Sequence, residues 1–188
     1  SESYHLMKSY AQMSNEEMQQ VYAQWSKGRL HSFLMEISAA VFLQPDDAGS
    51  GLLIDKILDT AGQKGTGAWT SQDAANVAAA IPSIDAAVTQ RIISSYKSDR
   101  RKFAHTSPLK PIQTLKDKEA FLVQLEQALY CSYILSYAQG LNMLANASAY
   151  YKFDIPIAAV ASIWRGGCII RAALLEKITV AYQSNTSL

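Results

Sequence analysis

A long stretch without proline, residues 117–153, constrains the fold more than any other part of this sequence. Apolar residues recur in it at helical spacing, and only Gly140 weakens the pattern. A single helix over the whole stretch would be about 55 Å long, since each residue adds about 1.5 Å. The apolar residues are Phe121, Leu122, Leu125, Leu129, Ile134, Leu135, Leu141 and Leu144. The sequence therefore predicts one or two long central helices, with a break near Gly140 if there are two.

The other segments have the same helical periodicity, and none alternates convincingly in the manner of a strand. Ser14 followed by Glu17 forms a capping box, which predicts a helix that begins directly after Ser14 and ends by Gly28. A second amphipathic helix follows, so the two are expected to form a hairpin. Thr70 is expected to cap an alanine-rich helix over residues 74–80. The expected fold is all-α, in a single domain over residues 1–188.

Composition excludes several classes of protein. The chain has 188 residues, of which 49% are hydrophobic and 18% charged, so it can bury a core. A net charge of +1 gives no pull toward nucleic acid or an anionic membrane. The N-terminus has no signal-peptide pattern, and no apolar run approaches the ~18 residues of a membrane helix. Neither the cysteines nor the histidines have zinc-ligand spacing, so we expect a soluble, cytoplasmic protein without a metal.

The stretch GQKGTGAW, from Gly62 to Trp69, interrupts the helical pattern and is the best candidate for a ligand contact. Glycine has no Cβ, so backbone N–H groups in such a loop can come close to a ligand. A helix that starts near Trp69 or Thr70 would add the positive end of its dipole. Lys64 supplies a cation and Thr66 a hydroxyl, and together they suit a phosphate group.

Two familiar phosphate motifs do not fit this stretch. Walker A requires lysine and serine or threonine directly after the last glycine, whereas Ala68 and Trp69 follow Gly67. The dinucleotide motif G-x-G-x-x-G fails because Thr70 stands where its third glycine belongs and no strand precedes it. An ordinary flexible connection between helices, with Lys64 facing solvent, stays an open alternative.

The order of residues is more informative than their composition. Residues 57–69, ILDTAGQKGTGAW, closely resemble the signature of 6-phosphogluconate dehydrogenase, decarboxylating. Further blocks resemble the same family in the same order: YHLM at 4–7, SFLMEI at 32–37, ALY-S-I-SYAQG within 128–140 and WRGGCIIR at 164–171. The resemblance extends over essentially the whole chain.

The resemblance implies a C-terminal helical domain for substrate binding and dimerisation. In this family such a domain follows a Rossmann domain that binds most of the NADP, and it precedes a tail that reaches the partner subunit. The family oxidises 6-phosphogluconate at C3 by hydride transfer to NADP and then decarboxylates it to ribulose 5-phosphate, a reaction of the pentose phosphate pathway. Its base, a lysine, and its acid, a glutamate, align upstream of Ser1. We therefore expect a homodimer-forming fragment with no catalytic residues, inactive by itself, whose own cofactor contacts are unknown.

Some site residues follow from the resemblance one by one. Lys64, Thr66 and Arg91 match family residues that bind the substrate phosphate. Ile170 resembles a residue that lines the substrate pocket, although its apolar neighbours also fit a core position. Arg91 could instead be an ordinary surface arginine of a helix. Ala68 departs from the lysine common in the family, which puts one nearby positive charge in doubt.

Two other functions stay open. The chain could belong to a related β-hydroxyacid dehydrogenase with a different substrate, against which the three phosphate-suited residues argue. It could also be a non-catalytic helical module that assembles through its apolar faces.

Overall fold

The computed structural model of this chain describes residues 2–104, 106 and 115–185, which are helical and contain no sheet, as predicted. A π-helical turn, Leu6–Tyr10, and a 3-10 turn, Leu53–Asp55, accompany the α-helices. The α-helices are α1 Glu2–His5, α2 Asn15–Trp25, α3 Phe33–Val41, α4 Thr66–Asn76, α5 Pro82–Ser95, α6 Lys97–Ala104, α7 Lys118–Tyr151, α8 Ile157–Ile163 and α9 Leu174–Ser184. Within these ranges, no helix combines the length and the apolar character that crossing a membrane requires.

Helix α7 is the long central helix that the sequence predicts, and it is continuous over 34 residues. The possible break near Gly140 does not occur. Leu141 directly follows this glycine and Met143 lies three positions after it, and they are 1% and 9% exposed. One glycine inside a helix costs about 1 kcal/mol, which the burial of two large apolar side chains outweighs, since each contributes about 1.5–3 kcal/mol.

The chain divides into two compact units, to both of which α7 contributes. The first unit comprises Ser1–Ile57, Ile112–Ser132 and Ala158–Leu188, and the second comprises Leu58–Pro111 and Tyr133–Ile157. The expectation of a single domain over residues 1–188 stays a prediction.

In the first unit, α2 and α3 form the expected hairpin. The capping box at its start is present: the Glu17 N–H donates to Ser14 Oγ at 3.2 Å, and the Ser14 N–H donates to Glu17 Oε2 at 2.8 Å. Past the end of α2, the Gly28 N–H donates to the Trp25 carbonyl at 3.1 Å. Both ends of α2 thus match the sequence-based prediction to within a few residues.

The core of the first unit is built around fully buried side chains from several of its helices and turns. Met7, Met18, Leu30 and Leu175 are each 0% exposed. Ala172, two positions before α9, pairs with Ser32, the N-cap of α3, in an isolated antiparallel bridge.

In the second unit, α4 and α5 pack side by side, and their contacts show that they run in opposite directions. Ser71 of α4 donates its hydroxyl to Asp85 of α5 at 2.6 Å, while Gly67, one turn earlier in α4, approaches Val88, one turn later in α5. The buried cluster beneath this pair consists of Ala74, Val77, Ile81, Met143 and Ala147.

The side chain of Gln139, on α7, caps the start of α5. Its Oε1 accepts the Ser83 N–H at 2.9 Å, and its Nε2 donates to Ser83 Oγ at 3.0 Å. These bonds satisfy one of the amides that a helix N-terminus leaves unpaired. They also link α5 to α7 within the second unit.

We predict that Gln139→Ala lowers the free energy of unfolding by about 1–2 kcal/mol, because two neutral hydrogen bonds are lost. Urea denaturation followed by circular dichroism measures the change. Gln127→Ala is the matched control, since Gln127 is an exposed glutamine of the same helix. Equal losses in the two variants would contradict the capping role.

Candidate functional site

The glycine-containing stretch leads directly into α4, which begins earlier than the sequence predicts. Gly65 has a φ of 98° and precedes the first helical residue, Thr66. The Trp69 N–H donates to the Gly65 carbonyl at 3.0 Å and closes the first turn. The prediction that Thr70 caps this helix is wrong, because its hydroxyl donates to the Thr66 carbonyl at 2.8 Å inside the helix. A glycine in the left-handed region, not a side-chain cap, starts α4.

The N-terminus of α4 is suited to an anion. Its N-cap position has no side-chain hydrogen bond, and its first turn contains no acidic residue. The first amides of a helix have no partner within the helix, and they carry the positive end of its dipole. Thr66 therefore contributes both a backbone N–H and a hydroxyl at this end, and it is exposed.

We use the term glycine loop for residues 60–65, and the glycines in and after it have different roles. Gly65 allows the positive φ, and the Trp69 ring lies over it: an added Cβ would be 3.3 Å from Cζ2 of the indole. Gly67, in the first turn of α4, allows a close approach to α5, since an added Cβ would lie 3.0 Å from Val88 Cγ2. At Gly62, an added Cβ would have no atom within 4 Å. Two of the three glycines are thus required by geometry.

Two contacts attach the glycine loop and the first turn of α4 to α5. One is the close approach of Gly67 to Val88. The other is a hydrogen bond of 2.9 Å from the Ala61 N–H, at the start of the glycine loop, to Ser94 Oγ. The loop therefore runs antiparallel to the second half of α5, with both of its ends attached.

These contacts bring the three predicted phosphate ligands to one end of the α4–α5 pair. Arg91 lies one helical turn after Val88 and one turn before Ser94, so its position on α5 is between the two contact residues. Lys64 and Thr66 lie in the segment between the two attached ends. Lys64 and Arg91 are exposed, and neither forms an ion pair with any residue that the structure describes.

Ile170, the fourth predicted site residue, belongs to the first unit. It lies in the turn before α9, and its side chain is 39% exposed. A core position, which its apolar neighbours also suggested, is therefore wrong. Its place in a substrate pocket stays a prediction.

An ionic network at the start of the glycine loop was not predicted from the sequence. The Asp59 carboxylate pairs with Lys97 and Arg100 of α6, the Arg100 Nη1 atom lying 2.7 Å from Asp59 Oδ2. The Lys97 ammonium, followed by the Arg100 guanidinium, holds the pKa of Asp59 well below its ordinary value. Lys97 and Arg100 are three positions apart on one helix face, which was a visible signal, but their acidic partner is 38 or more residues earlier in the sequence.

Among the residues that the structure describes, no group of three or more histidine, cysteine, aspartate or glutamate side chains is arranged to hold a metal ion.

We predict that Gly67→Val lowers the free energy of unfolding by about 1–3 kcal/mol, because overpacking against Val88 forces α4 and α5 apart. Gly62→Val is the control, since a Cβ there meets nothing. Urea denaturation measures both, and Val88→Ala in the Gly67→Val background should restore part of the loss. An additive loss in the double variant would contradict the close contact.

Comparison with known proteins identifies related sequences over the whole chain. The model of the family described as 6-phosphogluconate dehydrogenase, C-terminal domain, matches residues 1–188. The chain is 43% identical over 193 residues to 6-phosphogluconate dehydrogenase, decarboxylating 1, of Oryza sativa subsp. japonica, and 45% identical over 192 residues to the decarboxylating enzyme of Synechococcus elongatus. These alignments include 100% of this chain but 39% and 40% of the two relatives.

A solved structure is also similar. It is that of Plasmodium falciparum 6-phosphogluconate dehydrogenase, studied in its apo form, with its cofactor NADP+ and with its substrate 6-phosphogluconate. The TM-score is 0.93 at 38% sequence identity, over 100% of this chain and 40% of that protein. The chain thus spans about two fifths of the length of the relatives it matches.

Proposed function

The chain belongs to the family of 6-phosphogluconate dehydrogenase C-terminal domains, and on that premise we propose that it supplies the substrate-phosphate contacts and the dimer scaffold of a decarboxylating 6-phosphogluconate dehydrogenase. The whole enzyme would use NADP to oxidise and decarboxylate 6-phosphogluconate to ribulose 5-phosphate in the cytoplasmic pentose phosphate pathway. The observation that best supports this is the position of Lys64, Thr66 and Arg91 at one end of the α4–α5 pair.

The chemistry of these three residues matches a phosphate monoester. Such a group carries a charge of about −1.5 to −2 at neutral pH and has three strong acceptor oxygens. Lys64 and Arg91 provide two cations that no described acidic residue neutralises, and the Arg91 guanidinium can donate two parallel hydrogen bonds. Thr66 adds a hydroxyl at the positive end of the α4 dipole. A non-phosphorylated hydroxy acid would leave these charges unused.

We assign hydride transfer and proton transfer to segments of the enzyme other than this chain. NADP supplies the hydride acceptor when it is bound, and dinucleotides bind at strand-to-helix turns of a parallel sheet. The described residues form no sheet, so they do not fit such a site. The family resemblance implies a lysine base and a glutamate acid in a segment other than residues 1–188, and we therefore propose that this chain holds the phosphate end of the substrate.

We predict that Lys64→Ala and Arg91→Ala, made in the full-length enzyme, each raise the KM for 6-phosphogluconate by about tenfold or more, because a charge-assisted hydrogen bond contributes about 1.5–3 kcal/mol. The KM for NADP should stay unchanged. Steady-state kinetics measures both constants.

Arg101→Ala is the matched control, since Arg101 is an exposed arginine of α6 in the same unit. Equal losses for NADP and for 6-phosphogluconate would indicate that Lys64 and Arg91 stabilise the fold instead of binding phosphate. An unchanged KM in both variants would favour a substrate without phosphate.

The dimer is the second part of the proposal, and the exposed apolar residues of α7 support it. Val123, Ile134 and Leu135 are 51%, 44% and 50% exposed, although α7 also carries buried residues such as Leu125 and Leu141. A helix with apolar residues on both its buried and its exposed sides is typical of one that is covered by a further surface. We propose that a second copy of the chain covers it.

We predict that Leu135→Glu shifts the full-length enzyme from two copies to one, because a charge would be buried in the interface without a partner. Size-exclusion chromatography with light scattering measures the mass. Ser98→Glu adds the same charge at an exposed position of α6 and should leave the mass unchanged. A dimer that persists in both Leu135→Glu and Val123→Glu would contradict this interface.

A further inference from the structure

We propose that Asp59 and Arg100 are positioning residues, which hold the glycine loop where Lys64 can bind the same phosphate as Arg91. This inference rests on the proposed function. Neither residue has to touch the substrate, because both act through the part of the chain to which Lys64 belongs.

Arg100 fixes the start of the glycine loop through both the side chain and the backbone of Asp59. Its Nη1 donates to Asp59 Oδ2 at 2.7 Å, and its Nη2 donates to the Asp59 carbonyl at 3.0 Å. The same Nη2 donates to the Ser94 carbonyl at 2.9 Å, near the end of α5. One guanidinium thus joins the residue before the loop to the helix that carries Arg91.

Ser94 continues this connection to the loop and to Arg91. Its hydroxyl oxygen accepts the Ala61 N–H at 2.9 Å and donates its proton to the Arg91 carbonyl at 2.7 Å. Every step from Arg100 to the glycine loop and to the Arg91 turn is therefore a hydrogen bond of 3.0 Å or less. A shift of any partner would change the position of the loop relative to Arg91.

The cations of this network differ from the proposed phosphate ligands. Lys97 and Arg100 share one carboxylate, that of Asp59, and the Nε atom of Arg100 is buried without a hydrogen-bond partner in the described part of the chain. The Arg100 guanidinium is thus committed to holding the protein backbone. Lys64 and Arg91 have no acidic partner among the described residues, so they keep their charge for a ligand.

The far end of the loop has its own attachment, because the Trp69 ring lies over Gly65 and Gly67 contacts Val88. The few residues between the two attached ends are held close to one conformation before a ligand arrives. Such preorganisation raises affinity because the cost of ordering the loop is met during folding. Losing the Asp59 attachment would transfer that cost to substrate binding.

The sign of one substitution separates positioning from simple electrostatics. Asp59→Asn removes a negative charge close to the glycine loop, so a purely electrostatic effect would tighten the binding of a phosphate anion. Positioning predicts the opposite, because the asparagine amide cannot hold two cations. Asp99→Asn is the matched control: it changes the charge equally, but in the described part of the chain the partners of Asp99 are Lys102 and Ser98, both within α6.

The experiment is steady-state kinetics of the full-length enzyme. We expect Asp59→Asn to raise the KM for 6-phosphogluconate by about tenfold. A change of this size corresponds to the loss of one charge-assisted hydrogen bond. The kcat and the KM for NADP should change by less than about twofold, because the loss is confined to binding of the phosphate end. Asp99→Asn should leave all three constants unchanged.

An unchanged or lower KM in Asp59→Asn would overturn the inference, and so would an equal rise in the KM for NADP or an equal effect in Asp99→Asn. If circular dichroism shows that Asp59→Asn is unfolded, the variant Ser94→Ala tests the inference in its place. It removes only the acceptor of the Ala61 N–H and a bond to a neighbouring carbonyl, and it should raise the KM for 6-phosphogluconate by about threefold to tenfold. No rise in Ser94→Ala would then overturn the inference.

Failure of the proposed function would give a different pattern of KM values among the variants. If Lys64→Ala and Arg91→Ala leave the KM for 6-phosphogluconate unchanged, the phosphate site itself is wrong. If those two variants raise the KM while Asp59→Asn and Ser94→Ala do not, only the positioning role is wrong.

Discussion

The close approach of Gly67 to Val88 determines how α4 lies against α5, and the arrangement of the candidate site depends on it. A side chain at Gly67 would meet Val88 at 3.0 Å, a distance that real Cβ atoms seldom tolerate. Because the helices are antiparallel, this contact brings the beginning of α4 to the second half of α5. Lys64 and Thr66 then lie at the same end as Arg91. A sequence with a larger residue at Gly67 could still form both helices, but not this spacing between them.

The basic residues of the second unit fall into two groups with different roles. Lys97 and Arg100 are paired with Asp59, and Arg100 also bonds to backbone carbonyls. Lys64 and Arg91 lack an acidic partner in the part of the chain that the structure describes. A phosphate site needs both kinds: unpaired cations that bind the anion, and paired ones that hold the loop in place. Exposed ion pairs contribute little to overall stability, so the Asp59 network is better explained by what it positions.

Sequence patterns predicted the features that depend on neighbouring residues. The capping box at Ser14 and Glu17 is local, and so is the apolar periodicity of α7, and both are present in the structure. The break that the sequence allowed at Gly140 does not occur, because packing from outside the helix outweighs the cost of one glycine. Thr70 was wrongly expected to cap α4, because a positive φ at Gly65 starts the helix earlier. The burial of Leu141 and Met143 depends on contacts that a single stretch of sequence does not contain.

Only part of the candidate site could be predicted from the sequence. Family resemblance named Lys64, Thr66, Arg91 and Ile170, but spacing could not show that the first three lie at one end of a helix pair. That depends on Gly67 and on the hydrogen bond between Ala61 and Ser94, which joins residues 33 positions apart. The Asp59 network was missed for the same reason. Long-range pairing of charges has no periodic signal, so it becomes visible only in the folded chain.

A crystal structure of the full-length enzyme with 6-phosphogluconate bound tests the central claim most directly. We expect the phosphate oxygens within about 3 Å of the Lys64 ammonium, the Thr66 hydroxyl and the Arg91 guanidinium, the usual length of charge-assisted hydrogen bonds. The Asp59 and Arg100 side chains should keep their mutual hydrogen bond and make no contact with the substrate. A phosphate bound elsewhere, with Lys64 and Arg91 still free in solvent, would contradict the proposed function.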